Sequence, residues 1–309
     1  MSGLANRIFS RGLCECSRLK LFFNKRLAEH RVRQSLRAYY RNGKIPWSVG
    51  YFEAKENFIK QQLADERVLT TFARSEELPD GYGIGLDERV VEYPWLFSRL
   101  EGKSARMLDA GSVLNHAYLV EHPLLSMRNL SILTLNPEHQ AHWQKRVSYL
   151  FDDLRKMPFR DEWFDEVVCL STLEHVGMDN GIYTPDAAYR EAQTMDFQLA
   201  AKELFRVTKP AGKIWITVPF GKYVNYGWYQ QFDLPKLNQL MECFPCGGKK
   251  MFFYRYRAEG WQKCGAEDCA ELEGVPIFSG RTDLYKNGNN SDLAACSRAI
   301  VAMEIIKDS

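Results

Sequence analysis

The sequence predicts an α/β fold: an open, twisted, mostly parallel sheet with helices on both faces, preceded by a helical extension. Three observations carry this. After residue 105, short apolar runs alternate with helical stretches, at Arg106–Ala110, Leu130–Leu135, Trp163–Leu170 and Lys213–Val218. Runs of this length, bounded by turn residues and separated by helices, are the mark of buried parallel strands. Before residue 105, apolar residues recur at helical spacing with no strand set of their own. Finally, 309 residues with 45% hydrophobic and 26% charged content suit one sizeable globular core.

In chain order, Phe22, Phe23, Leu27, Val32, Leu36 and Tyr39 lie at helical spacing among basic residues, until Asn42-Gly43 and Pro46 stop the helix. A second helix is expected from about Phe52 to Phe72, a loop over Leu78–Gly85, and a further helix around Glu88–Leu100. The four strands follow, and Met251–Tyr256 and Ser297–Ile306 complete the sheet. The domain reading is a basic helical extension over 1–100 that packs on a core domain over 101–309. No repeat, low-complexity stretch or long apolar span is present in the sequence, so solenoid and membrane-spanning classes are set aside.

Charge is uneven. Residues 1–44 carry eleven Lys/Arg against two Glu, a net of +9, which leaves −7 for the rest of a chain whose total is +2. Such an arm reads as a transit peptide, a surface attracted to anionic membrane or acceptor, or a solvated helix face. No secretory leader is expected, and eight cysteines without one point to free thiols in a reducing compartment, the cytoplasm. Cys243/Cys246 and Cys264/Cys269 have spacing compatible with zinc, but lack a clean second C-x2-C, so scattered core and loop cysteines are preferred and no metal is assigned.

Ligands of open α/β sheets sit at strand carboxyl ends, so the residues just after each strand deserve the closest reading. The first strand ends in Asp109-Ala110-Gly111-Ser112, where glycine permits a sharp turn and close ligand approach. Asp153-Leu154 precedes Met157-Pro158-Phe159, and Phe164-Asp165-Glu166-Val167 opens the next strand, which ends in Ser171-Thr172-Leu173-Glu174-His175. Glu203-Leu204-Phe205-Arg206-Val207-Thr208-Lys209-Pro210-Ala211-Gly212 leads into the last run. By contrast, Gly81-Tyr82-Gly83-Ile84-Gly85 fits G-x-G-x-G without a preceding strand, and is read as a flexible loop, a lid or a plain surface turn.

These five segments, in register over residues 105–221, resemble the type-11 family of class I S-adenosylmethionine (SAM)-dependent methyltransferases, which have a Rossmann-like fold. Several segments also resemble methyltransferase-like proteins of bacterial surface-glycan biosynthesis. The resemblance implies SAM as cofactor. Asp109, Ala110, Gly111 and Ser112 would lie along its methionine portion, Asp153 at the adenine amino group with Leu154 beside it, and Ser171 and Leu173 at the sulfonium end. Two positions depart from the family pattern. Val113 and Asn115 replace the later glycines, and Leu135-Asn136-Pro137-Glu138 lacks the usual ribose-gripping acid, so Asn136 or a shifted Glu138 must serve.

A methyl acceptor must be aligned and, if a hydroxyl, deprotonated. His175 is the first candidate base, because imidazole titrates near neutrality. Glu174 would orient it or act itself, and Asp233 and His116 are secondary. Tyr226, Trp228, Tyr229 and Phe232 form an aromatic cluster suited to a sugar face or to packing in a lid. The expected function is O-methylation of a glycan, lipid-linked saccharide or related small molecule. A scaffold that has lost catalysis is the alternative, supported by Val113 and Asn136. A nucleic-acid methyltransferase fits the basic arm, but the acidic remainder and the lack of an N-P-P-Y motif oppose it.

Overall fold

The computed structural model describes residues 26–276, 281–286, 288 and 290–309. Ten strands appear among them: β1 (Arg106–Ala110), β2 (Asn129–Thr134), β3 (Val147–Phe151), β4 (Phe164–Leu170), β5 (Thr208–Pro219), β6 (Val224–Asn225), β7 (Gln230–Gln231), β8 (Gly248–Arg257), β9 (Gly260–Cys264) and β10 (Ala299–Ile306). Eight form one sheet in the order β3-β2-β1-β4-β5-β10-β8-β9, while β6 and β7 pair separately. The first five of that order run parallel. β10 lies antiparallel between β5 and β8, and β9 folds back on β8 as a hairpin.

Parallel strands need both faces covered, and their residues alternate between two apolar layers. One layer takes Met107, Val168 and Trp215 from β1, β4 and β5. The other takes Leu108, Val167 and Ile216. The second layer is roofed by α7 (Phe197–Val207) through Ala200 and Leu204 and by α8 (Leu234–Glu242) through Leu237. The first is covered by the N-terminal helices: α1 (residues 26–41), α2 (Tyr51–Ala64), α3 (Glu66–Arg74) and α4 (Arg89–Phe97). Tyr39, Ile59, Phe72 and Trp95 reach the sheet core from this side. The short turns α5 (Ala117–Val120) and α6 (Pro123–Ser126) add Leu119 and Leu125. A further short helix, α9 (Arg281–Lys286), precedes β10.

The single helix expected over Phe52–Phe72 is broken at Asp65, whose extended backbone and side chain cap α3 by accepting the Arg67 N–H at 2.9 Å. The glycine-rich stretch Gly81–Gly85 is neither lid nor surface turn. Tyr82 is buried, and Gly85 is fixed between Tyr39 Oη, which donates to its carbonyl, and Tyr256 Oη, which accepts its N–H. That turn therefore clamps the N-terminal helices to β8.

Among the described residues, no helix is long and apolar enough to cross a membrane, and no three His, Cys, Asp or Glu side chains converge to hold a metal. Cys264 and Cys269 face one another at 3.2 Å as thiols. Cys14 and Cys16 lie outside the described residues.

Candidate functional site

A cavity of about 260 Å³ opens where the carboxyl ends of β1, β2, β3 and β4 meet. Gly111 forms its floor with φ +118°, and a Cβ there would stand 2.2 Å from Thr172 Oγ1. Only glycine lets the turn after β1 pass so close to the turn after β4. Ser112 and Ser171 border the same space with φ of 63° and 39°, left-handed conformations that serine adopts at a cost. The buried Ser112 Oγ has no protein partner, as expected of a group reserved for a ligand.

Asp109 is wholly buried and does not line the cavity. Its carboxylate accepts the N–H groups of Val113 (3.2 Å) and Leu114 (2.8 Å), so it shapes the turn rather than touching a ligand. Burial pushes its carboxyl up to about 7, against the pull of those two donors. Ala110 is likewise buried within β1, and Leu173 within the core beneath the turn after β4.

The departures at Val113 and Asn115 have a local purpose. Val113 packs into the core and offers its carbonyl to Tyr93 Oη at 2.6 Å. Asn115 donates to the Gln140 carbonyl (3.0 Å) and accepts from Tyr149 Oη (2.8 Å), tying the first turn to the segment after β2. On that segment Glu138 borders the cavity and Asn136 does not. After β3, Asp153 and Leu154 border it. Asp153 caps a short turn by accepting the Arg155 N–H, and holds the Arg155 guanidinium at 2.7 Å. Arg155 also pairs with Glu191 and Asp196, which fastens the loop after residue 176 to this wall.

These features fit SAM: a glycine cradle, an orphaned serine hydroxyl, and acids after β2 and β3. Gly111, Ser112, Glu138, Asp153, Leu154 and Ser171 are the residues that would hold it.

A second cavity, of about 270 Å³, adjoins the first, and Arg89, Ser171, His175 and Tyr183 border both. His175 Nδ1 donates to the Trp228 carbonyl at 2.9 Å, which leaves Nε2 as the acceptor nitrogen. Trp228, Tyr183 and Tyr229 enclose the ring with centroids 5.0, 5.4 and 5.9 Å away. Burial, aided by the Arg89 charge, pushes the imidazole down to about 4 against the opposing effect of the Trp228 hydrogen bond. Glu174 is buried, which raises its carboxyl well above the usual range, and its Oε1 lies 4.0 Å from His175 Nε2. His116 borders the first cavity and keeps an exposed edge, and partial desolvation together with the Arg89 charge lowers its imidazole from the usual value.

Asp233 is corrected by the structure. Its side chain accepts the Lys236 N–H at the start of α8 and borders neither cavity. The aromatic cluster divides in a similar way. Phe232 packs against Phe197 in the core, whereas Tyr229 and Trp228 border the second cavity.

The helix expected around Glu88–Leu100 is α4, but no motif marks the acid within it. Its Glu92 is completely buried and accepts from Ser171 Oγ and Thr217 Oγ1, both at 2.5 Å, and from Arg89 at 2.6 Å. An ion pair three residues apart in a helix otherwise apolar all round was the available signal, because such a pair must be buried.

Residues 111–216 match the family model described as "Methyltransferase domain". No curated protein matches the chain. Among solved structures, a SAM-dependent methyltransferase from Archaeoglobus fulgidus is 12% identical with a TM-score of 0.44, over 79% of this chain and 100% of that one. The 1,6-didemethyltoxoflavin-N1-methyltransferase of Burkholderia thailandensis, solved with S-adenosylhomocysteine, is 14% identical with a TM-score of 0.39, over 92% and 90%. The family match spans the turns after β1 to β4 that build the first cavity, and over residues 111–216 the chain carries a SAM-dependent methyltransferase domain.

Proposed function

We propose that the chain transfers the methyl group of SAM to a hydroxyl oxygen of a glycan, lipid-linked saccharide or related small molecule, with His175 as the base. The observation that carries this is the placement of His175, bordering both cavities with Nδ1 engaged and Nε2 left to accept. SAM, when bound, supplies a methyl group already activated by the sulfonium. The protein therefore has to align the acceptor and remove one proton. The acceptor's O–H donates to His175 Nε2, and the proton passes to that nitrogen as the oxygen takes the methyl. Trp228 holds the ring in the required tautomer. Glu174, whose carboxyl burial pushes well above the usual range, bounds the acceptor side instead.

Calorimetric titration with S-adenosylhomocysteine, followed by radiolabelled methyl transfer to a saccharide panel, tests this reading. Binding without transfer to any hydroxyl would overturn it.

The described part of the basic arm favours a second role. In α1, Arg31, Arg33, Arg37 and Arg41 are carried beside exposed Leu27, Val32 and Tyr40. We propose that this helix gives weak, salt-sensitive attraction to anionic membranes or acceptors.

A further inference from the structure

The geometry points to the second cavity as the acceptor site and to an uncharged, polyhydroxylated ring as its occupant, an inference that rests on the methyl-transfer reading above. Its walls come from segments far apart in the chain. Trp47, Lys55 and Glu88 close it from the N-terminal helices, while Glu174, Trp228 and Tyr229 face them from the sheet side. Trp47 is fixed in place, since its Nε1 donates to the Ala295 carbonyl at 2.8 Å and its ring lies 4.6 Å from that of Tyr51. The N-terminal segment is thus a structural wall of this space.

Two buried polar atoms on residues bordering the cavity lack a protein partner: Glu174 Oε2 and Tyr229 Oη, on residues that are each 3% exposed. Neither residue borders the first cavity, so SAM does not account for them. An unpaired buried hydroxyl or carboxyl is left without the hydrogen bonds it makes in water, and a ligand that hydrogen-bonds to both removes that cost. Aromatic walls with a few convergent polar groups are the general form of a small-molecule site, and a ring bearing several hydroxyls offers apolar faces together with donors and acceptors.

Charge narrows the class. The Lys55 ammonium is paired with Asp87 at 2.6 Å, and the Arg89 guanidinium with Glu92 at 2.6 Å, so neither cation awaits an anionic ligand. An anion would also meet Asp87 and Glu88, both bordering the cavity. A cation would have to settle beside Lys55 and Arg89. Both cations bordering the space are thus already matched by Asp87 and Glu92, burial pushes the Glu174 carboxyl well above the usual range and Glu88 up to about 7, and a neutral ligand disturbs none of these groups.

The test uses the full chain with and without S-adenosylhomocysteine. Saturation-transfer NMR and calorimetry are run with methyl glucoside, the methyl glycoside of glucuronic acid and the methyl glycoside of glucosamine. The neutral glycoside should bind at least ~10-fold more tightly than either charged one. Tyr229→Phe removes only a hydroxyl that has no protein partner, so folding is preserved. It should weaken the neutral glycoside roughly 3–10-fold, the scale of one hydrogen bond, with S-adenosylhomocysteine affinity unchanged. Equal or tighter binding of a charged glycoside, no effect of Tyr229→Phe, or no glycoside binding at all would overturn the assignment. If S-adenosylhomocysteine fails to bind the wild type, the methyl-transfer reading falls separately, and the cofactor-free titrations still decide the cavity.

Discussion

Replacing His175 by Gln separates chemistry from packing at the junction of the two cavities. The imidazole is fixed by one hydrogen bond to a carbonyl and three surrounding aromatic rings. Gln can keep a donor toward Trp228 but cannot take a proton. If His175 is the base, turnover should fall roughly 10²–10⁴-fold, about 3–5 kcal/mol of barrier, with S-adenosylhomocysteine affinity nearly intact. The pH profile sharpens the test. With the imidazole pushed down to about 4, it is already neutral at pH 6, so the wild-type rate should stay flat above pH ~5.5 and fall below it. An inflection near 7 would instead implicate one of the two buried carboxyls pushed up to about 7, Glu88 beside Asp87 and Glu92 or Asp109 in the turn after β1. The same depression is a stability statement. His175 binds its proton more readily in the unfolded chain, so its contribution is present above the unfolded value of 6.5 and is lost as pH falls through about 4. The difference in unfolding free energy between wild type and His175→Gln should therefore change by up to roughly 3 kcal/mol between pH 7 and pH 4. Recovery of more than a tenth of the wild-type rate by Gln would make His175 a positioning residue.

Gly111→Ala places a Cβ against Thr172 Oγ1 and should abolish S-adenosylhomocysteine binding in calorimetry or lower the melting temperature, and Thr172→Gly in the same chain should restore part of the loss. Glu138→Ala should weaken S-adenosylhomocysteine by ~1–3 kcal/mol while Asn136→Ala leaves it unchanged, because only Glu138 borders the cavity; the reverse result would return the ribose role to Asn136. Glu166→Gln leaves the buried Arg128 guanidinium, now paired at 2.5 Å, without its countercharge and should cost about 3 kcal/mol in urea unfolding. For α1, co-sedimentation should be greater with anionic than with neutral vesicles and fade as salt rises, and equal binding to both would remove the electrostatic account.

The half of the molecule that is legible in the sequence is the half where local chemistry and topology coincide. β1 and β4 announce themselves as apolar runs ending at glycine or serine, because a strand buried on both faces has few other compositions and a turn at its end has few alternatives. Gly111 is readable since backbone approach demands it. Asp109 is a subtler case: the motif implies a cofactor contact, but the buried carboxylate is spent on the Val113 and Leu114 N–H groups, a role visible only once the turn is built. β9 was invisible for a different reason. Of its five residues, Gly-Trp-Gln-Lys-Cys, only Trp261 and Cys264 are apolar, and they draw their strand geometry from pairing with β8.

The second cavity was legible only on the side of Glu174, His175, Trp228 and Tyr229, and the wall opposite them was not. Its walls come from residues 47–55, 87–89, 174 and 228–229, and no local pattern links segments so far apart. What brings them together is the covering of one sheet face by the N-terminal helices, and that depends on α4. A helix that apolar would be unremarkable as a core element if it did not carry Glu92. Burying that carboxylate at zero exposure requires Arg89 on one oxygen and the Ser171 and Thr217 hydroxyls on the other. The two hydroxyl hydrogen bonds therefore lock the helix to the carboxyl ends of β4 and β5, and the ion pair within α4 positions Arg89 between the two cavities. Glu92→Gln should consequently disturb both cavities at once, weakening S-adenosylhomocysteine and glycoside binding together, whereas Tyr229→Phe touches only the second. A Glu92→Gln chain that bound both ligands normally would mean that α4 is held by its apolar contacts alone, and that the extension covers the site without organising it.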